Sequence, residues 1–156
     1  MGLPKTVPAN ELYHPDDCWH ANLIYIDKRK TLLFVNDGTL FNFVVPGVSR
    51  EQIRDMGELF TGYLSCVLSD EGFDETAKKN LLGNGKPITF TSVTNPSVLG
   101  SLNDLAYNYK YSIMSSGGIH SAAVPAIIRK LNRMPMGAIG YDFPIDRLRS
   151  SDAIAT

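Results

Sequence analysis

Three strand-like segments follow one another between residues 19 and 45, and their short connections constrain the topology strongly. The segments cover residues 19–26, 31–36 and 39–45, and each is rich in β-branched and aromatic residues. Residues 27–30 predict a charged turn, and Asp37-Gly38 favours a two-residue type I′ turn, which needs positive φ at both positions. Connections this short join antiparallel neighbours, so the sequence predicts an antiparallel β-meander.

Helical periodicity begins directly after the meander. Ser49 and Gln52 have the spacing of a capping box, and apolar residues then recur at steps of three and four until the chain reaches Gly72. Residues 73–86 carry no clear pattern. Alternation of apolar and hydroxyl residues over positions 87–94 then predicts one further, half-buried strand.

A second amphipathic helix has a clear start and end. Asn95 is a good N-cap, Pro96 suits the first helical position, and Gly117-Gly118 predicts the end of the helix. Apolar residues between positions 98 and 113 form one stripe, which places Tyr109 in the core and leaves Tyr107 and Tyr111 to line a surface. Residues 121–133 predict a third helix, and residues 144–149 a short last one.

The order of these elements predicts an α+β domain. Its sheet would be mainly antiparallel, a β-meander plus one further strand, with about three helices packed on one face. A chain of 156 residues is the size of one domain, which we place at residues 19–149, between an extended lead-in at 1–18 and a flexible tail at 150–156. Long apolar runs and a signal-peptide pattern are absent from the sequence, which predicts a cytoplasmic protein without a membrane partner.

Four short phrases of the chain occur in an order typical of a known family. They are WHANL at 19–23, LLFVN at 32–36, SVLGSLNDL at 97–105 and LNRMPMG at 131–137. Together they resemble the uncharacterised bacterial family known as domain of unknown function 6933, over about residues 19–149. The family has no established activity, so the resemblance implies a shared fold and no function.

Four polar residues beside buried helix positions form the candidate ligand site: Asn103, Asp104, Asn132 and Arg133. An arginine near an aspartate at such a boundary can bind a carboxylate or phosphate through two hydrogen bonds. The alternative is an internal clamp, in which Asp104 pairs with Arg133 or caps a neighbouring turn. The clamp is favoured because buried polar groups need partners in any fold.

Residues 14–20 hold the densest run of side chains that can bind a metal. The spacing of His14, Cys18 and His20 matches no common zinc pattern, so we predict no metal site and no cofactor. Cys18 with His20 as its base is an alternative nucleophile pair, but such a pair needs a lowered thiol pKa. Cys18 and Cys66 are the two cysteines and are predicted to be free thiols.

The C-terminal part of the chain is locally basic. Residues 110–149 carry six Lys or Arg against two Asp or Glu. This surface would attract nucleic acid through Lys110, Arg129, Lys130, Arg133, Arg147 and Arg149. Six cations spread over forty residues are few, however, and an ordinary solvated surface is favoured.

The sequence favours a small binding or interaction domain without catalysis, of the kind that serves as a regulatory or mobile-element accessory protein in a bacterium or phage. Its partner would be a protein or a small ligand, and an incomplete sheet edge would allow a homodimer. The alternative is a hydrolase or nucleic-acid-processing enzyme with a polar pocket around Asp104 and Arg133. In that enzyme Asp104 would be the base, Arg133 would bind an anion and His20 would assist.

Overall fold

The computed structural model describes residues 7–8, 17–83, 88–92 and 96–151 and shows an α+β fold built on a mixed sheet. The strands are β1 (Val7–Pro8), β2 (Cys18–Ile26), β3 (Arg29–Asn36), β4 (Asn42–Val45) and β5 (Thr89–Ser92). Their order in the sheet is β1-β5-β2-β3-β4. Strands β2, β3 and β4 are antiparallel, as the meander predicts, whereas β5 runs parallel to β2 and β1 runs parallel to β5.

Six α-helices lie in the described residues, so the expectation of about three is wrong. They are α1 (Arg50–Arg54), α2 (Met56–Asp70), α3 (Glu75–Leu81), α4 (Pro96–Ser115), α5 (Val124–Leu131) and α6 (Pro144–Arg149), with a 3₁₀ helix at Gly137–Ile139. The predicted capping box at Ser49 is present, but Asp55 leaves helical geometry and divides the first helix into α1 and α2. Helix α3 begins where the Asp74 side chain accepts from the Ala77 amide, at a cap that the apolar pattern did not reveal.

The helices cover both faces of the sheet, and the expectation of one covered face is therefore wrong. Phe43 pairs with Phe34 in the sheet and both rings contact Phe60 of α2. Asn42, the preceding residue, points to the opposite face, where it meets Tyr109 of α4. Strand β4 is buried along its whole length, and so is most of β3, because their nearly continuous apolar runs suit a sheet covered on both sides.

The type I′ geometry occurs at a different turn from the one predicted. Asp27 and Lys28 have φ of 52° and 60° and join β2 to β3. At Asp37-Gly38 the chain instead forms a longer connection, in which the Asn36 side chain accepts from the amides of Gly38 and Thr39. The side chain of Asn36 thus competes with the tight turn, and β4 starts only at Asn42.

Helix α4 is the longest helix described and follows the sequence prediction closely. It begins at Pro96 and buries Leu102, Leu105, Tyr109 and Ile113. Gly117 and Gly118 adopt positive φ, and the Gly118 amide donates to the Ile113 carbonyl as the helix ends. The predicted N-cap Asn95 lies outside the described residues, as do most of the lead-in and most of the tail, whose assignments stay predictions.

Candidate functional site

Asn132 lies fully buried directly after α5 and closes the edge of the sheet. Its Oδ1 accepts from the Asn42 amide at 2.9 Å, while its Nδ2 donates to the carbonyls of Asn42 at 2.7 Å and Ile128 at 2.9 Å. The carboxamide therefore pairs with the backbone of β4 much as a further strand would. Asn132 is 0% exposed, so its side chain is engaged in the fold and closed to solvent.

The side chain of Asn42 extends this buried network to α4. Its Oδ1 accepts from the Tyr109 hydroxyl at 2.6 Å, and its Nδ2 donates to the Leu40 carbonyl at 2.9 Å. Burial raises the pKa of the Tyr109 phenol well above its usual value. One strand residue thus links β4 to both α4 and α5.

Arg133 forms a clamp, and its partner is Glu71. Its guanidinium donates to Oε1 of Glu71 at 3.0 Å and to Oε2 at 2.6 Å, and it also reaches the Arg129 carbonyl. The Glu71 side chain is only 1% exposed. The hydrogen bond to Glu71 raises the pKa of Arg133 above its ordinary value. The two-pronged geometry predicted for a ligand carboxylate is therefore occupied by one of the protein's own carboxylates.

Asp104 and Asn103 lie exposed on α4. Within the described part of the chain Asp104 has no ion pair, and its backbone carbonyl accepts from the Asn108 side chain at 2.8 Å. The structure therefore does not pair Asp104 with Arg133. Ligand binding by Asn103, Asp104, Asn132 or Arg133 stays a prediction. Sequence reasoning missed Glu71, whose only signal is its place next to Gly72 at the end of an amphipathic helix.

His20 and Cys18 lie on β2 and both are buried. The His20 Nε2 lies 2.9 Å from Oδ1 of Asp37. Burial raises the pKa of the Cys18 thiol, and the negative charges of Asp37 and Asp17 raise it further. This is the opposite of what an activated nucleophile requires. Among the residues that the structure describes, no group of three His, Cys, Asp or Glu is placed to hold a metal ion.

Most cations of the predicted basic surface have a hydrogen-bonding or ionic partner within the chain. Arg129 pairs with Asp70, Arg147 lies 3.5 Å from Asp142, and Arg149 donates to the Glu71 carbonyl at 3.4 Å. With Arg133 clamped to Glu71, four of the six cations have internal partners. Lys110 and Lys130 are exposed. This arrangement weakens the case for a nucleic-acid surface, which depends on several free cations in one place.

The outward face of α4 exposes large apolar side chains that the fold does not cover. Leu99 is 50% exposed, Tyr107 70%, Tyr111 66% and Met114 49%. We call these four residues the outward stripe. Tyr107, Tyr111 and Met114 lie on the side of α4 turned away from the buried Leu105 and Tyr109, whereas Leu99 lies two turns before Tyr107. The prediction that Tyr109 packs while Tyr107 and Tyr111 line a surface is confirmed.

The comparisons with known proteins identify a fold and a family. No curated protein matches this chain. The chain is similar to a crystal structure of the catalytic core domain of BIV integrase, with 14% identity and a TM-score of 0.54 over 84% of this chain and 92% of that one. Identity this low shows a shared fold alone. In the described residues no helix is both long enough and apolar enough to cross a membrane. A family model matches residues 2–147, which confirms the resemblance of the four phrases: the chain belongs to the family described as Domain of unknown function (DUF6933).

Proposed function

We propose that this chain is a small interaction domain without catalysis, and that it binds a protein partner through the outward stripe of α4. The observation that carries the proposal is the exposure of four large apolar side chains on one long helix. A single exposed apolar residue needs no explanation, whereas several large ones exposed on one helix favour a binding surface. The cellular role would be that of a bacterial or phage regulatory or mobile-element accessory protein in the cytoplasm.

The composition of the stripe suits the centre of a protein interface. Tyrosine and methionine are enriched in interface cores, and tyrosine is frequent among residues that dominate binding energy. A buried tyrosine covers roughly 150–250 Å², so Tyr107 and Tyr111 at 70% and 66% exposure leave much of their surface available. The exposed Asp104 and Lys110 would form a polar rim, while the exposed Asn103 lies between Leu99 and Tyr107 along the helix.

The polar groups considered for ligand binding or for catalysis support the same proposal. Arg133 is bound to Glu71, Asn132 is sealed into the sheet edge, and the raised pKa of Cys18 keeps its thiol protonated. Asn132 and Arg133 therefore have partners within the fold, and Arg133 is paired with Glu71 and not with Asp104. A binding role needs none of them to be free.

Site-specific photocrosslinking tests the proposal. The photoreactive amino acid p-benzoylphenylalanine is placed at Tyr107 and, as a matched control, at Tyr25, which is 54% exposed on β2. Each full-length variant is produced in cells of the native host and irradiated. We expect a discrete crosslinked species from position 107 that is absent from position 25. The same products from both positions, or none from either, would contradict the proposal.

A homodimer should be tested before other partners, because one helix face can pair with the same face of a second copy of this chain. Native mass spectrometry of the purified protein would report a dimer that the double variant Tyr107→Ser, Tyr111→Ser shifts to monomer. If the wild-type protein is a monomer while position 107 still crosslinks in cells, the partner is a different protein.

An enzymatic role is the second candidate, and the fold shared with an integrase catalytic core favours it. Fold similarity alone is a weak argument for activity, because one fold serves many functions. The test is incubation of the purified chain with single- and double-stranded DNA in the presence of Mg²⁺ or Mn²⁺. Our proposal expects no turnover. Cleavage that is lost in Asp104→Asn would replace the interaction domain with the enzyme.

A further inference from the structure

A partly enclosed pocket of about 300 Å³ lies between α2, α5 and β4. Its size falls at the lower end of small-molecule sites, which span about 300–1,000 Å³. Most of the lining is apolar, contributed by Val44, Pro46, Val67, Val124, Pro125 and Ile128. The pocket shares no residue with the outward stripe of α4.

The charged groups at this pocket are neutralised by partners within the protein. Asp70 pairs with Arg129, and both carboxylate oxygens of Glu71 accept from Arg133. A charged ligand would therefore lose its hydration without finding a free counter-charge, which is costly in an apolar site. A neutral ligand avoids that cost.

A few polar atoms remain to orient such a ligand. Tyr63 lines the pocket, is 41% exposed, and its hydroxyl makes no hydrogen bond to any other described residue. The exposed thiol of Cys66 lies on the same helix, one turn further on. An apolar cavity with one or two polar groups is the common pattern of small-molecule sites.

We propose that this pocket binds a small, neutral, mainly apolar molecule that carries a hydrogen-bonding group. The volume is too small for a folded segment of a partner protein, and the charged groups at the pocket already have partners within the protein. This binding is separate from the protein interaction proposed for α4, so either proposal can fail without the other.

The two cysteines provide a built-in reporter with an internal control. Cys66 is exposed and lines the pocket, whereas Cys18 is buried. N-ethylmaleimide should therefore add once to the folded protein, at Cys66, as intact mass spectrometry would show. We expect a bound ligand to slow this addition, and we expect the adduct to block ligand binding.

The binding measurement uses N-phenylnaphthylamine, a neutral aromatic probe whose fluorescence rises in apolar surroundings. We expect a saturable rise with one probe per chain, slower modification of Cys66 when the probe is bound, and loss of saturation in Val124→Phe, whose ring would fill the pocket. The matched control is Ala126→Phe, at an exposed position of α5 outside the pocket, which should bind like the wild-type protein.

Three results would overturn the proposal. The first is a fluorescence rise that does not saturate, or equal binding by Val124→Phe and Ala126→Phe. The second is loss of probe binding in Tyr107→Ser with retention in Val124→Phe, which would place the probe on α4. The third is an unchanged rate of Cys66 modification at saturating probe, a measurement on the wild-type chain that holds even if Val124→Phe does not fold.

Discussion

Two regions of the molecule differ in which side chains they bury. One is the pair of residues directly after α5, and the other is the outward face of α4. After α5, the amide of Asn132 is fully buried and both its oxygen and its nitrogen are hydrogen-bonded, while Arg133 holds the buried Glu71 carboxylate. On α4, Tyr107 and Tyr111 carry large rings that face solvent. Polar groups are enclosed in the first region, and apolar groups are left open in the second.

The difference separates a region whose polar side chains are bonded within the fold from a region whose apolar side chains face solvent. A buried polar group whose bonds are all made contributes to the architecture and has nothing left to offer a ligand. Covering an exposed aromatic ring with a partner removes apolar surface from water, which lowers the free energy and favours binding. The contrast therefore predicts that substitutions after α5 affect stability, whereas substitutions on the stripe affect binding.

The largest expected effect comes from breaking the buried edge closure at Asn132. In Asn132→Ala the amide and carbonyl of Asn42 lose their partners in a buried position, and we expect the free energy of unfolding to fall by about 4 kcal/mol. Urea unfolding measures the loss. Asn103→Ala, at an exposed asparagine, is the control and should change stability by less than about 0.5 kcal/mol. Similar losses for both variants would show that the buried hydrogen bonds of the Asn132 carboxamide do not contribute specially to the free energy of unfolding.

The second-largest expected loss of stability comes from breaking the clamp between Arg133 and Glu71. Arg133→Ala leaves the carboxylate of Glu71 buried without its partner, and we expect a loss of about 2 kcal/mol in the free energy of unfolding. Arg129→Ala breaks the pair with Asp70, in which both side chains are nearly half exposed, and should cost less than about 1 kcal/mol. The double variant Arg133→Ala, Glu71→Gln should recover part of the first loss. Equal effects of the two arginine variants would contradict the assignment.

The hydroxyl of Tyr109 has a smaller effect with a distinct pH signature. Tyr109→Phe removes the bond to Asn42 and should lower the free energy of unfolding by about 1 kcal/mol near pH 7. The folded-state pKa of Tyr109 is raised, so above about pH 10 the unfolded chain releases this proton while the folded chain retains it. Ionisation of Tyr109 in the unfolded chain therefore lowers the free energy of unfolding of the wild-type protein as the pH rises, and Tyr109→Phe lacks this contribution. The difference between the two unfolding free energies should shrink between pH 7 and pH 10.5.

Much of the fold follows from local sequence patterns. The meander, the capping box at Ser49 and the limits of α4 all depend on residues close together in the chain, and all are present. The two covered faces and the parallel pairing of β5 with β2 depend on contacts between distant residues, which periodicity does not encode. At Asp37-Gly38 a local rule fails because the Asn36 side chain supplies a competing set of hydrogen bonds.

The candidate site was predictable only in part. Asn132 and Arg133 stand out in the sequence because they follow a buried helix position, but their partners Asn42 and Glu71 lie 90 and 62 positions away. The need of buried polar groups for partners favours an internal clamp over a ligand site, but the sequence suggested Asp104 as the carboxylate, whereas the structure pairs Arg133 with Glu71. The exposed tyrosines of α4 were predictable, because helical spacing alone separates them from Tyr109.

The smallest expected effect on stability belongs to the exposed tyrosines of the outward stripe. In Tyr107→Ser with Tyr111→Ser, two rings that are 70% and 66% exposed are removed from the surface of α4, so the free energy of unfolding should change by less than about 0.5 kcal/mol. The same variant should lose the crosslink or the dimer, because the lost area lies where a partner would bind. Urea unfolding and native mass spectrometry on one preparation measure both properties. A variant that unfolds far more easily would show that the stripe belongs to the core, and a variant that retains the partner would show that the interface lies elsewhere.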